Sequence, residues 1–439
     1  PPRGPLAPLF AWSGRLEEAS PLDFEVDKQR LDLRSSTETG SITFSSRAGG
    51  PLQLAKRLTF KGDSYRVEVQ LFWKNTGQKP IAVAPELAWG PGFHDSLNKQ
   101  RSRLLPPTSW VDGRRVTDDT GKLRGVAAHS GLVSWTALHD PYFAAALLPE
   151  AKGAAATVRK EPTGQPLVAL AAPAQTLQPG GEAAQRFALY AGPKDLDLLK
   201  EAGPDLDNIL DLGWVDVLAR PALYLLRFLY RFSGNYGLAI ILVTLLQKIV
   251  FYPLTAKSLR SMQAMQALQP KLAALQERYK NNPQKKQQET MELYKKHGVN
   301  PMGGCLPMLL QIPIFIALYN ALSSSVEMWR ARFLWIKDLS QPDALFTVDI
   351  WGLQNYPFNL LALLMGASMF VQQKMAPAAG DPRQAKMMLY LMPTVFTFMF
   401  WNFPSGLVLY WLVNNILQIG QQYWLESRGK LAPGGAETA

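Results

Sequence analysis

Five apolar runs in the second half of the chain limit what it can fold into. They lie at about 235–254, 303–326, 356–376, 387–403 and 406–425, and most approach or exceed the ~20 residues needed to cross a hydrocarbon core. The fourth is the shortest, and Pro404-Ser405-Gly406 reads as a tight turn joining the last two into a hairpin. Charge follows the same division. Residues 1–216 hold 25 basic and 25 acidic residues, leaving 21 basic and 10 acidic for 217–439, so the whole net charge of +11 belongs to the apolar half. Apolar spans joined by basic loops point to a membrane. They do not point to nucleic acid, which would need those basic residues gathered on a soluble fold.

Loop charge sets the expected orientation. Residues 255–300 carry nine Lys/Arg against three Glu, whereas 327–355 carry three Lys/Arg against four Asp/Glu. The short loop at 377–386 holds Arg383 and Lys386, and the tail holds Arg428 and Lys430. With positive loops inside, 255–300, 377–386 and the C-terminus are cytoplasmic, and five spans put the N-terminal part outside. The chain starts at Pro1 rather than Met, and export of the N-terminal part leads us to expect a signal or anchor segment ahead of it. Cys305 is the single cysteine, so no intramolecular disulfide can form and the exported part must rely on its core.

That part reads as all-β. "SITFSS", "YRVEVQLFW", "IAVAPELAW" and "QRFALYAG" alternate or run apolar over strand lengths, separated by the turn signals "KGDS", "KNTGQKP" and "LQPGGE". The expected organisation is a multidomain chain. Residues 1–200 form a periplasmic antiparallel sandwich, and 201–234 a linker with an amphipathic helix at 217–232, which lies in the membrane interface or else extends the first span. Residues 235–425 form an α-helical polytopic domain of five transmembrane helices, and 426–439 a short cytoplasmic tail. Within the polytopic domain, 256–298 reads as a cytoplasmic helical hairpin. Met262, Met265, Leu268, Leu272, Leu275 and Tyr279 make one stripe, Pro270 starts a helix, "NNP" turns the chain, and Met291 and Tyr294 lie on the second arm. The stripe either receives a partner, methionine suiting adaptable contacts, or zips the two arms together.

The polar residues inside the spans are the candidate site. Lys248 lies in "AIILVTLLQKIVFYPLT", with Thr244 one turn earlier. An ammonium there costs several kcal/mol unless it meets water or partners, which makes it a functional candidate, although it is near enough to the span end to snorkel. Tyr410, Asn414, Gln418 and then Gln421 or Gln422 recur at spacings of three and four, with Asn415 and Trp411 beside them. Gln311, Gln372 and Gln373 lie on two further spans. Such amides serve as interhelical glue or line a shared wet cavity. All four histidines (His94, His129, His139, His297) and every carboxylate lie outside the span cores, and there is no Walker loop, zinc spacing or nucleophile elbow. Neither an enzyme nor a resident cofactor or metal is expected.

The texts "NYGLAIILVTLLQKIVFYPLT", "LQPKLAALQERY", "VNPMGGCLPMLLQIPIFIALYNAL", "QQKMAP" and "FPSGLVLYWLVNN" resemble the YidC insertase family (YidC/Oxa/Alb) in order and spacing across 217–425. "LTFKGDSYRVEVQLFWKNTGQKPI" and "DPYFAAALLPE" resemble the large periplasmic domain of its Gram-negative type. The resemblance implies a galactose-mutarotase-like β-supersandwich and a groove open to cytoplasm and lipid but closed to the outside. The family's central basic residue falls on Lys248, which keeps the charge without an arginine's fork, and its substrate-contacting Thr and aromatic positions fall on Thr244 and Trp411. It further implies an inner-membrane insertase and folding chaperone whose partners are nascent membrane proteins, membrane lipids, the ribosome and the Sec translocon. The rival readings are a channel or secondary transporter, an assembly scaffold without insertion activity, and a carbohydrate-binding sandwich.

Overall fold

Alternation along a strand decides which face is buried, and Arg66–Asn75 illustrates it: Val69, Leu71 and Trp73 are buried while Glu68 and Lys74 are exposed. The computed structural model describes residues 9–13, 24–46, 50–90, 105–160, 164–298, 306–350, 353–375 and 382–427. It divides into two units, Pro1–Asp211 with Ser324–Val326, and Leu212–Ser323 with Glu327–Ala439. Cys305, Arg428 and Lys430 lie outside the described residues, as do the side chains of Met262, Arg383 and Lys386.

Unit 1 is built on antiparallel sheets, as the sequence suggests. Its strands are β1 (Leu9–Ser13), β2 (Phe24–Val26), β3 (Thr39–Ser46), β4 (Leu52–Lys61), β5 (Arg66–Asn75), β6 (Ile81–Val83), β7 (Pro85–Trp89), β8 (Thr108–Val111), β9 (Arg114–Thr117), β10 (Ala127–His129), β11 (Val133–His139), β12 (Phe143–Pro149), β13 (Ala155–Lys160), β14 (Pro166–Ala171), β15 (Gln175–Leu177) and β16 (Glu182–Pro193). A nine-stranded sheet runs β2-β3-β4-β5-β16-β12-β11-β8-β9 and a five-stranded one β1-β7-β14-β13-β10, while β15 pairs with β6. One apolar cluster joins residues of both larger sheets, among them Leu71, Trp73, Leu147 and Phe187 from the first and Leu87, Val158, Val168 and Leu170 from the second. Each such side chain, fully buried, is worth roughly 1.5–3 kcal/mol. The "KNTGQKP" turn is organised by buried Asn75, whose amide donates to the carbonyls of Lys79 and Leu177 and accepts from the Gly77 N–H. After β16, α1 (Leu196–Ala202) starts at Asp195, whose carboxylate caps the N–H groups of Asp197 and Leu198.

Unit 2 is helical. The amphipathic segment is a helix of its own, α2 (Asp216–Ser233), ended by Gly234 at φ 62 with its N–H on the Tyr230 carbonyl. Next comes α3 (Tyr236–Ala267), which does not stop where the apolar run ends; the helix-forming residues of 255–267 carry it on past Pro253. Pro270 lies in the first turn of α4 (Gln269–Arg278), and Asn282 caps α5 (Pro283–Lys296). Then follow α6 (Leu306–Ser324), α7 (Leu360–Met375), α8 (Pro382–Phe400) and α9 (Ser405–Ser427). The loop before α7 contains a two-stranded ribbon, β17 (Thr347–Ile350) with β18 (Leu353–Pro357), that the sequence patterns did not suggest. Ser405 and Gly406 fix the α8–α9 turn by donating to the carbonyls of Gln341 and Leu339. The core joins α3, α6, α7, α8 and α9 through Ile240, Leu318, Met365, Phe400 and Val408. Among the described residues one helix segment, Tyr236–Ser261, is long and apolar enough to cross a membrane, and Leu309–Ser324, Leu360–Met375 and Met387–Phe400 are shorter apolar stretches. α9 has the length, but its five amides between Asn414 and Gln422 lower its mean hydropathy.

Candidate polar groove in the helical unit

The site is a polar pocket among α3, α6 and α9. Lys248 is half-buried, and its ammonium donates to Gln418 Oε1 at 2.7 Å. A cavity of about 30 Å³ adjoins it, lined by Gln247, Lys248, Phe251, Leu254, Thr255, Leu310, Gln311, Ile314 and Asn414. That is room for about one or two water molecules, and the polar lining offers them partners. Helical spacing explains the assembly: Lys248 and Thr255 are seven residues apart on one face of α3, Asn414 and Gln418 four apart on α9. Asn414 is 5% exposed, and its Oδ1 has no hydrogen-bond partner among the described residues, an arrangement costing about 1–3 kcal/mol unless something fills it.

The structure gathers some of the expected residues and separates others. Lys248, Gln311 and Asn414 line the cavity, and Gln418 reaches it through Lys248. Tyr410 is buried beneath, donating to Gln247 Oε1 at 3.2 Å with Gln311 as a second side-chain partner. Thr244 is fully buried and returns its hydroxyl to the Ile240 carbonyl at 2.7 Å. Trp411 packs edge-on to Phe315 at 4.9 Å and against Phe400 at 5.3 Å. Asn415 turns to α7, donating to Ser368 Oγ at 3.0 Å, and Gln422 likewise bonds the Met375 carbonyl. Gln372 is half-buried on α7 and does not line the cavity. Sequence reasoning missed Gln247, adjacent to Lys248, and Thr255, which exchanges hydrogen bonds with Gln421.

Comparisons with known proteins bear on these helices and sheets alike. Residues 9–225 match the family model of the YidC periplasmic domain, and residues 228–432 that of the 60Kd inner membrane protein. The membrane protein insertase YidC of Pelobacter propionicus is 44% identical over 420 residues, covering 93% of this chain and 75% of the relative. That of Geobacter sp. strain M21 is 42% identical over 390 residues, covering 88% and 70%. The chain belongs to the YidC membrane protein insertase family. Its members are inner membrane proteins with a periplasmic domain, and both parts are present here. A solved YidC insertase with its first transmembrane domain resolved is 21% identical, with a TM-score of 0.42 over 92% of this chain and 83% of that one.

In this insertase-family chain the arms α4 and α5 meet each other. Lys271 Nζ lies 3.0 Å from His297 Nε2, and Lys285 stands over the Tyr279 ring at 5.5 Å. Met265 and Leu272 are buried, whereas Leu275, Tyr279 and Tyr294 are half-buried and Met291 is exposed. The Met265–Leu272 end of the stripe is packed inside the unit, and Met291 on the second arm is presented outward.

Proposed function

We propose that the chain inserts nascent membrane proteins, and helps them fold, by lowering the barrier to a polar segment at the Lys248 groove. The observation that carries this reading is a lysine held by a neutral amide beside a polar cavity within otherwise apolar helices. In this reading five helices, α3 and α6 to α9, span the inner membrane, with unit 1 in the periplasm as a galactose-mutarotase-like supersandwich that does no sugar chemistry. The hairpin α4–α5 and the C-terminus lie in the cytoplasm. α2 rests in the interface, its Val217, Phe228 and Phe232 exposed to lipid and its Arg227 paired with Glu327 on the loop after α6. Met291 and Tyr294 belong to the surface that meets the ribosome or the emerging chain, and the Sec translocon is a partner for larger substrates.

A polypeptide needs more room than this small cavity gives, so α3 and α6 must part. Each carries a proline beside the cavity, Pro253 and Pro313, where a missing backbone hydrogen bond weakens the helix. An acidic residue of the entering segment then meets Lys248 at an effective dielectric near 20, an attraction of about 4 kcal/mol at 4 Å. The hydrophobic helix of the substrate moves out into lipid, and its transfer drives the cycle without nucleotide. Gln311, Asn414 and Gln418 supply hydrogen bonds to the polar segment on the way.

The test is protease protection of a single-span substrate with a short acidic tail, added to liposomes containing the purified chain. Lys248→Ala and Lys248→Glu should lower insertion, the second more. Unchanged insertion in both variants would remove Lys248 from the mechanism. Insertion by the purified chain alone separates an insertase from an assembly scaffold, and an ion flux through the same liposomes would favour the channel reading.

A further inference from the structure

Lys248 is paired with an amide oxygen, and this leaves its charge available. Apart from Glu426 in the last turn of α9, no Asp or Glu lies in α3, α6, α7, α8 or α9, so no carboxylate of these helices competes for the ammonium across the cavity. An ammonium is a point donor, whereas an incoming carboxylate has two oxygens to satisfy. Gln418 carries both kinds of group on one freely turning amide: Oε1, which accepts from Lys248 at 2.7 Å, and an NH2 with two donors. A charge-assisted bond to a carboxylate is roughly twice as strong as one to a neutral amide, so an acidic side chain takes Lys248 from Gln418. The terminal torsion of Gln is broad and two-fold. Half a turn about it then aims the NH2 where Oε1 had been, toward the second carboxylate oxygen. One turn back along α9, Asn414 lines the same cavity, and its buried Oδ1 has no hydrogen-bond partner among the described residues. It gives a displaced ammonium a second acceptor, so Lys248 can leave Gln418 without leaving the groove.

We propose that Gln418 determines the preference of the groove for acidic segments: it holds Lys248 in the empty groove, and together with Lys248 it presents two donors to one carboxylate in the filled groove. The proposal rests on the insertase reading above. It assigns to a lysine–glutamine pair the two-pronged recognition that a lysine alone lacks.

The experiment uses the purified full chain in liposomes with three single-span substrates whose translocated tails carry two Asp, two Asn or two Lys. The readout is the ratio of protease-protected Asp-tail to Asn-tail substrate, so that a misfolded fraction of a variant cancels. Gln418→Leu should lower this ratio about tenfold. Gln418→Glu, which places a carboxylate on Lys248, should lower it further and raise the Lys-tail to Asn-tail ratio. Lys248→Arg in the Gln418→Leu background should restore the ratio to within about threefold, because a guanidinium carries two parallel donors by itself. An unaltered ratio in Gln418→Leu, a loss common to all three tails, or no recovery with Arg overturns the proposal. Lys248→Ala keeps the two readings apart. If its ratio is unaltered the groove reading itself fails, and if its ratio drops while Gln418→Leu is silent only the role of Gln418 fails.

Discussion

Each unit withdraws a lysine from solvent, Lys194 in unit 1 and Lys248 in unit 2, and the two are held differently. Lys194, 3% exposed, follows β16; its ammonium donates to the Asp140 carbonyl at 3.1 Å and lies 3.5 Å from His139 Nδ1. Its N–H donates to the Tyr142 carbonyl, His139 Nε2 faces the Thr108 hydroxyl at 3.1 Å, and the Asp140 carboxylate accepts from the N–H groups of Tyr142 and Phe143. The cluster ties the β11–β12 turn to the segment entering α1. Lys248 instead has one neutral amide and a cavity lined by Asn414, whose buried Oδ1 has no hydrogen-bond partner among the described residues. A buried charge that serves structure is closed off by matched partners, and one that serves passage is left with an interaction still to be made.

The strongest test of this contrast is acid. Burial, then the Lys194 and Arg115 charges, push His139 down to about 3, and burial holds Lys194 at about 8 against the pull of Asp140. Both are bases whose folded values lie below the unfolded ones, so the unfolded chain takes up the extra proton and stability rises with pH through each window. For His139 the contribution is fully present above about pH 6.5 and is lost as pH falls toward 3, a change of about 5 kcal/mol. For Lys194 stability is gained from pH 8 to 10.5. Denaturant unfolding of the full chain, followed by amide protection in β11 and β12, should show the acid loss, and His139→Gln should flatten it. A flat acid limb in the unmodified protein would mean that the cluster opens to water.

Removing a partner should be next in size. Asp140→Ala deletes the acceptor of two N–H groups and a carboxylate whose charge favours the Lys194 ammonium, and should cost unit 1 about 3 kcal/mol by the same protection measurement. The helical unit is held by close approach instead. A Cβ at Gly366 on α7 would come within 1.9 Å of Thr397 Oγ1 on α8, so Gly366→Ala should cost about 2 kcal/mol in a detergent melt. Thr397→Ala added to it should recover most of that loss, since the two side chains occupy one space.

What could be read beforehand follows from where the information lies. Val69, Leu71 and Trp73 alternate within one strand, so β5 was legible; so were Pro270 at the start of α4 and the turn before α9. The length of α3 was not, because hydropathy marks where lipid ends, and residues 255–267 remain helical without being apolar. Lys248 and the amides of α9 were legible as a polar stripe, but its division was not. Gln418 and Gln421 turn to α3, Asn415 and Gln422 to α7, and which neighbour flanks each side is a tertiary fact. The Lys194–His139 contact joins residues 55 apart in the chain, and no local pattern announces it.

The smallest expected effect separates the two units most sharply, because its sign differs. Asn414→Leu replaces a buried amide by an apolar side chain of similar shape. The unpaired Oδ1 disappears and no partner is left behind, so α9 packing should gain about 1 kcal/mol in a detergent melt. The same variant removes an amide from the cavity that Lys248 also lines and makes that cavity less hospitable to water, so insertion of a polar tail should fall even as the melt rises. A polar deletion in the Lys194 cluster lowers stability; in the groove it should raise stability and lower activity, as expected of a site kept unsatisfied for its work. If Asn414→Leu destabilises the chain by as much as Asp140→Ala does, Asn414 is a structural amide like those in unit 1, and the distinction between the two lysines rests on Gln418 alone.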